Sequence, residues 1–206
     1  SIVMLSQGVP FFQAADDLLC SKSLDRNSYN SGDWFNAIDW TGQTTNWGRG
    51  LPPAGDNESM WPVMAGLLAN PDLAPLPEQI AAASAHFREM AQIRASSPLF
   101  RLRTAEDVQA RLRFLNTGPD QIPGLIVMSL SDTGGENLDP NFDRIVVLFN
   151  ADDEEVIFTA AELAGREMAL HPALAASADA VVAGATWDSA TGAFTVPGRT
   201  TAVFAQ

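Results

Sequence analysis

Between Asp25 and Asn36 the chain crowds two carboxylates, a guanidinium, several amides and three rings into one short stretch: Asp25, Arg26, Asn27, Tyr29, Asn30, Asp33, Trp34, Phe35 and Asn36. These are the groups of a carbohydrate site, where flat rings cover the apolar side of a pyranose and carboxylates and amides take its hydroxyls. Asp25, Arg26, Asn27, Tyr29, Asp33 and Trp34 are the candidate ligand contacts. The same residues have a structural reading, in which rings pin a long loop to its scaffold and polar groups close local turns. Binding is the favoured reading for the stretch as a whole. Loops longer than about a dozen residues are usually functional or disordered, and Tyr29, Trp34, Phe35, Trp40, Trp47 and Trp61 make this one too aromatic for disorder.

The flanking segments must hold that loop. Ile2–Leu5 reads as the last turn of a helix feeding a turn at Gly8-Val9-Pro10, and Val9–Gln13 as a short buried strand. After the loop, Glu58–Asn70 carries Met60, Trp61, Met64, Leu67 and Leu68 on one helical face and ends at Asn70-Pro71. A proline-rich connection leads to the strongest helix signal in the chain. Pro77 and Glu78 suit a helix start, and Ile80, Ala83, Phe87, Met90 and Ala91 form an apolar stripe that stops at Ser96-Ser97-Pro98. Beyond Arg101 the pattern changes to short β-rich runs: Arg111–Leu115, Gly124–Leu130, Arg144–Phe149, Glu155–Phe158, Ala180–Trp187, Ala193–Val196 and Thr200–Ala205. Turn signals at Thr117–Asp120, Thr133-Gly134-Gly135, Ala151-Asp152-Asp153 and Thr191-Gly192 separate them, and the spacing predicts an antiparallel sandwich. Ala160–Leu163 fits a helical turn.

An apolar fraction of 46% is ample for a core, and length alone leaves open one large domain or a small domain plus part of another. The net charge is −13 and Lys22 is the only lysine, a balance that repels nucleic acid and anionic membranes. No apolar run approaches the roughly 20 residues of a membrane span. No basic-then-apolar signal opens the chain, although a targeting segment ahead of Ser1 in a longer protein stays open. Cys20 stands alone, so no internal disulfide forms and cysteine usage says nothing of compartment. His86 and His171 lack zinc-ligand spacing and are read as structural. The acidic run Asp152–Glu155 lacks the alternation of a calcium loop and is read as a solvated turn. No metal and no cofactor is expected, and phosphate loops, serine elbows and basic stripes are missing from the sequence.

Longer stretches carry a resemblance. Gly8-Val9-Pro10-Phe11-Phe12-Gln13-Ala14, Ser21–Asn36, Asn46-Trp47-Gly48-Arg49-Gly50-Leu51-Pro52-Pro53, Ser96–Phe100, Phe114–Pro119 and Thr195–Thr200 together resemble the C-terminal part of pullulanase-type debranching enzymes of glycoside hydrolase family 13. The resemblance implies an α+β fragment. Residues 1–100 would hold the eighth strand, the long βα loop (Ala14 to about Asn57) and the eighth helix of a (β/α)8 barrel, and residues 101–206 a C-terminal β-sandwich. In such barrels the βα loops build the active-site face. It further implies an α-1,6-glucosidase acting on α-glucans such as pullulan, limit dextrin or malto-oligosaccharide, in a secreted or periplasmic setting if bacterial. Its three catalytic acids would come from strands four, five and seven, upstream of Ser1, so no catalytic residue is expected in this chain. A substitute pair such as Asp25 with Asp33 would need a separation of about 5 Å, and nothing in the sequence favours it.

Two positions depart from the family pattern. Ala15-Asp16-Asp17 stands where Gly-x-Glu is usual, and alanine there would be strained if the turn needs a positive φ. Cys20 stands where arginine is usual. Asp16 and Asp17 have two open readings, capping a turn or touching substrate. A stand-alone carbohydrate-binding or interaction module is the alternative function, and structural support without substrate contact is a third. Because a lone barrel strand leaves unpaired edges, Ile2–Gln13 is expected to be ordered by self-association, strand exchange or packing on the sandwich.

Overall fold

The structure, a computed structural model, describes residues 1–133 and 135–206. Helical segments are α1 (Ile2–Leu5), α2 (Asp33–Asn36), α3 (Ala54–Asn57), α4 (Trp61–Leu68), α5 (Pro77–Ser96), α6 (Ala105–Arg111) and α7 (Pro172–Ala175). Strands are β1 (Leu112–Phe114), β2 (Leu125–Ser131), β3 (Arg144–Asn150), β4 (Val156–Thr159), β5 (Ala169–Leu170), β6 (Thr186–Asp188), β7 (Ala193–Val196) and β8 (Thr201–Ala205). The chain divides into two units, residues 1–11 with 88–206 and residues 12–87, the division falling within α5.

In the first unit, short β-branched and aromatic runs pair into two antiparallel sheets, ordered β1-β2-β3-β8-β5 and β4-β7-β6. Alternation along each strand sends one set of side chains inward. Leu125, Val127, Val146, Leu148, Ala202 and Phe204 of the larger sheet share a core with Phe194 and Val196 of the smaller. Phe194 is fully buried, with ring centroids 4.3 Å from Trp187 and 5.1 Å from Phe204, and burial of one such side chain stabilises by roughly 1.5–3 kcal/mol. The sandwich predicted from strand spacing is thus formed. The run predicted over Ala180–Trp187 shrinks to β6, because Val182–Gly184 makes a 3-10 turn after Val181 N–H bonds the Asp179 carboxylate at 2.9 Å. Local side-chain bonds of this kind compete with ladder pairing.

Other elements arise where the sequence pattern is short. Helix α6 starts at Thr104, whose hydroxyl caps Asp107 N–H at 3.0 Å. The acidic run Asp152–Glu155 is an exposed turn, as expected, and among the described residues no cluster of metal-ligand side chains occurs. Asn150 Nδ2 ties that turn to the β7 end by donating to Glu154, Val196 and Pro197 carbonyls. A Cβ on Gly198 would lie 2.2 Å from Asp153 O, so only glycine permits this approach. The turn expected at Thr133-Gly134-Gly135 includes Gly134, which lies outside the described residues.

Residues 9–13 form no strand, which corrects the buried strand predicted there. Val9 is 93% and Phe11 90% exposed. A strand exists only as one side of a ladder, and among the described residues no strand pairs with these. The preceding residues are ordered within the same unit instead. Arg94, itself buried in α5, donates Nη1 to Met4 O (2.8 Å) and Ser6 O (2.7 Å) and Nη2 to Gly8 O. Gln7 adds bonds to Leu99 O and Leu102 N–H.

His171 is structural, as read from the sequence, and it is the N-cap of α7. Its Nδ1 accepts from Ala173 N–H at 3.2 Å. The proton therefore sits on Nε2, which donates to Ser96 Oγ at 3.1 Å, and that hydroxyl donates to Ile93 O at 2.8 Å. Burial lowers the His171 pKa below its ordinary 6.5. The unfolded chain then binds a proton at higher pH than the native one. The stabilisation is complete above the unfolded value and is lost as pH falls through 6.5 toward the lower folded value. The urea midpoint is expected to drop between pH 7 and pH 5, and His171→Asn, which keeps a capping oxygen, is expected to flatten that slope. A slope unchanged in the variant contradicts this assignment.

Candidate carbohydrate-binding site

The second unit holds the polar loop. With few regular elements between residues 14 and 57, its backbone must be ordered by side chains. Ser21 N–H bonds Thr45 O at 2.6 Å, Ser23 Oγ bonds Asn46 O at 2.7 Å, and Arg49 N–H returns to Ser23 Oγ at 3.2 Å. Asn46 Nδ2 reaches Ala37 O, beside the half-buried Cys20. Asp39 accepts both hydroxyls and both N–H groups of Thr41 and Thr44. Those bonds, led by the Thr41 and Thr44 hydroxyls, hold its carboxyl down at about 2.

Ala15 is buried at φ 69°, the left-handed region. The strain anticipated for alanine in this turn is therefore present, at a cost of roughly 1 kcal/mol. Asp16 Oδ2 accepts Gln13 N–H at 3.0 Å and Asp17 Oδ2 accepts Ser84 Oγ at 3.2 Å. Asp16 closes the turn, as the capping reading has it, whereas Asp17 ties the turn to α5 through Ser84.

Asp25 organises the next stretch. Its Oδ2 accepts Ser31 Oγ at 2.5 Å, and its Oδ1 accepts Asn27 N–H at 3.1 Å and Asn57 Nδ2 at 3.0 Å. Partial desolvation pushes its pKa up, but the bonds from Ser31, Asn27 and Asn57 outweigh it and hold the carboxyl below the usual range. Asp25 is thus an ionised acceptor at neutral pH, the opposite of the raised carboxyl a general acid needs. Asn57, 2% exposed, also takes Arg26 N–H on its Oδ1 at 3.1 Å and gives Nδ2 to Pro53 O at 2.8 Å. Asn27 Nδ2 donates to Asp56 Oδ2 at 3.2 Å.

Around these bonds lies a cleft of about 260 Å³ lined by Asp25, Asn27, Tyr29, Asn30, Ser31, Pro53, Gly55, Asp56 and Asn57. Whole small-molecule sites are roughly 300–1,000 Å³, so this cleft suits one part of an extended ligand. Tyr29 is 81% exposed at its edge, which leaves a ring face free for stacking.

Of the predicted contacts, Asp25, Asn27 and Tyr29 line the cleft. Arg26 supports it from behind, its Nη1 reaching Asp56 O at 3.4 Å. Asp33 opens α2 as an exposed first-turn acid and lines no part of the cleft. Trp34 is clamped by Arg49: indole N–H to Arg49 O at 2.9 Å, Arg49 Nη1 to Trp34 O at 3.2 Å, and the guanidinium 5.2 Å from the ring centroid. Asp56 and Asn57 were not legible as site residues. The only signal for them is an acid and an amide following Pro52-Pro53-Ala54-Gly55, a turn-rich context at the far end of the loop.

A larger cleft of about 550 Å³ lies in the first unit, beside Phe114, Asn116, Ile122, Leu125 and Ile126. Its lining contains no ionisable group, and Asn116 is spent on Ile122 and Leu125 backbone. The chemistry therefore points to the smaller cleft.

Residues 42–206 match the family described as alpha-1,6-glucosidases, pullulanase-type, C-terminal. The chain is 48% identical to Pullulanase 1, chloroplastic, of Arabidopsis thaliana, over 100% of this chain and 22% of that protein. It is 37% identical to a pullulanase of Klebsiella pneumoniae, over 98% of this chain and 18% of the relative. The crystal structure of a maltotriose complex of PulA from Klebsiella pneumoniae superposes with a TM-score of 0.89 at 36% identity, covering 98% of this chain and 22% of that one. The chain thus spans about a fifth of the length of the curated relatives it matches.

Proposed function

Because the chain belongs to the pullulanase-type α-1,6-glucosidase C-terminal family, we propose that it works as the C-terminal portion of a debranching enzyme that hydrolyses α-1,6-glucosidic bonds in α-glucans. Its own part is to bind substrate and support the fold; the catalytic acids belong to the rest of the enzyme. The observation that carries this reading is the cleft in which Asp25, Asn27, Asp56 and Asn57 converge beneath the exposed Tyr29 ring. Carboxylates and amides take sugar hydroxyls there, and Tyr29 stacks on the ring face. The maltotriose bound to the Klebsiella pneumoniae relative is a ligand of this class.

In the whole enzyme, residues 1–100 supply the last strand, loop and helix of a (β/α)8 barrel, and residues 101–206 the sandwich that packs on it. Val9 and Phe11, both almost fully exposed, gain barrel neighbours there, and the segment takes up strand pairing from them. Arg26 orders the cleft through Asp56 and Asn57, whereas Asp33 and Trp34, which do not line this cleft, are the further glucan contacts of the same loop.

Titration of the protein with maltotriose tests the site. Asp25→Asn and Tyr29→Ala are each expected to weaken binding roughly tenfold, the loss of one charge-assisted bond or one stacking face. Trp34→Ala is expected to weaken it less. Unchanged affinity in both Asp25→Asn and Tyr29→Ala overturns the assignment.

A further inference from the structure

A second polar cluster belongs to the first unit and lies on the sandwich strands. Arg113 on β1 pairs with Ser129 on β2, so their side chains share a face. Ser129 lies on the inward face with Val127 and Leu125, since side chains alternate along a strand. Arg144 on β3 reaches the same point, its Nη1 donating to Ser129 Oγ at 3.1 Å. On the next strand over, Gln206 N–H bonds Arg144 O at 2.9 Å, and Gln206 Oε1 accepts Arg166 Nη1 at 3.4 Å. The Arg144 guanidinium thus holds a buried hydroxyl, the Arg166 guanidinium holds the Gln206 amide beside it, and the strand register puts the exposed Arg113 on the same face as Ser129.

These cations are short of acceptors. Arg144 is half-buried, and its Nε is buried with no hydrogen-bond partner. Among the described residues, no carboxylate lies within 4.0 Å of Arg113, Arg144 or Arg166. Glu162 acts on Arg144 only through its charge at longer range, and Arg166 opposes it. Yet the chain has 25 acidic residues against 12 basic ones, and Arg111, two positions before Arg113, is buried with Asp132. A guanidinium buried without an anion keeps its desolvation cost unrelieved. An oxyanion would relieve it for Arg144, whose Nε is the buried donor without a partner.

We propose that Arg113, Arg144 and Arg166, with Ser129 and Gln206, form a binding site for a small oxyanion, a phosphate or carboxylate group carrying at least two acceptor oxygens. Arg144 and Arg166 are both bonded to Gln206, Arg144 through its carbonyl and Arg166 through Nη1, and guanidinium forks are the donors that recognise such groups in two-point fashion. Arg113, the exposed member, closes the open side. The site shares no residue with the glucan cleft, so it is independent of the function proposed above.

The test is titration of the protein with inorganic phosphate at constant ionic strength, followed by calorimetry and by the rise in unfolding temperature. Saturable binding is expected, weakened at least tenfold in Arg144→Gln and in Arg166→Gln and unchanged in Arg103→Gln, an exposed arginine outside the cluster. Competition by acetate would show that the same site takes carboxylates. Arg144 is partly buried, so Arg166→Gln guards against a variant that fails only by misfolding. A response that never saturates with phosphate or acetate, or one equal in wild type and Arg166→Gln, overturns the proposal.

Discussion

Asp132→Ala is expected to lower the unfolding free energy by about 3–5 kcal/mol, because it strands the buried Arg111 guanidinium. The two side chains form an ion pair in which Asp132 is 1% and Arg111 8% exposed. Asp132 Oδ2 also takes the N–H groups of Leu138 and Asp139 at 2.8 Å each. Arg111 in turn gives Nη2 to Glu136 O at 2.7 Å. The bonds continue outward, since Asp139 Oδ2 accepts Ser97 Oγ at 2.5 Å and Asp139 Oδ1 accepts Asn141 N–H at 2.9 Å. Asp132 therefore joins the end of α6 to the segment after β2, and Asp139 carries the bonds on to the turn that follows α5. Urea unfolding of the variant measures the effect, and a loss below about 1 kcal/mol would show that water replaces the carboxylate. Replacing both partners with apolar residues of similar volume should cost much less than either single change, since no charge is then left unpaired.

Arg94→Met should cost about 2–3 kcal/mol, the usual scale for charged hydrogen bonds lost from a buried site. The guanidinium serves three carbonyls at once, those of Met4, Ser6 and Gly8. Burial, and then the neighbouring Arg101 charge, lower its pKa. Arg94→Lys keeps a charge but lacks the planar fork, so it should recover only part of the loss. Hydrogen exchange at residues 2–8 is the sharper readout: protection there should vanish in Arg94→Met while β2, β3 and β8 keep theirs. Equal protection in variant and wild type would mean that packing of Met4 and Leu5, rather than the guanidinium, holds the segment.

Both predictions concern contacts between residues far apart in the chain, and that is where reading the sequence failed. Helix α5 was legible because its apolar stripe repeats every turn; of that stripe Ile80 and Met90 are buried and Ala83, Phe87 and Ala91 half-buried. Most sandwich strands were legible because turn residues bracket β-branched runs; β7 matches its predicted span residue for residue. β5 was not, since two residues carry no period, and it exists only because β8 offers an edge. Val9–Gln13 failed in the opposite sense. Its apolar pattern fits a strand, but among the described residues no strand pairs with it.

The candidate site divides in the same way. Composition and local spacing identified Asp25, Asn27 and Tyr29 as carbohydrate-type groups, and the positive φ that Ala15 would have to bear was anticipated from a single substitution in a turn. The long resemblance identified the family, since many short matches in order are far more specific than one. The fold alone decided that Asn57, thirty-two positions after Asp25, completes the cleft while Trp34 turns to Arg49. It also decided that Asp16 closes its own turn through Gln13 N–H while Asp17 takes the Ser84 hydroxyl of α5. Periodicity and turn chemistry act between neighbours and so can be read along a chain, whereas hydrogen-bond partners and charge pairs depend on distances that only folding sets.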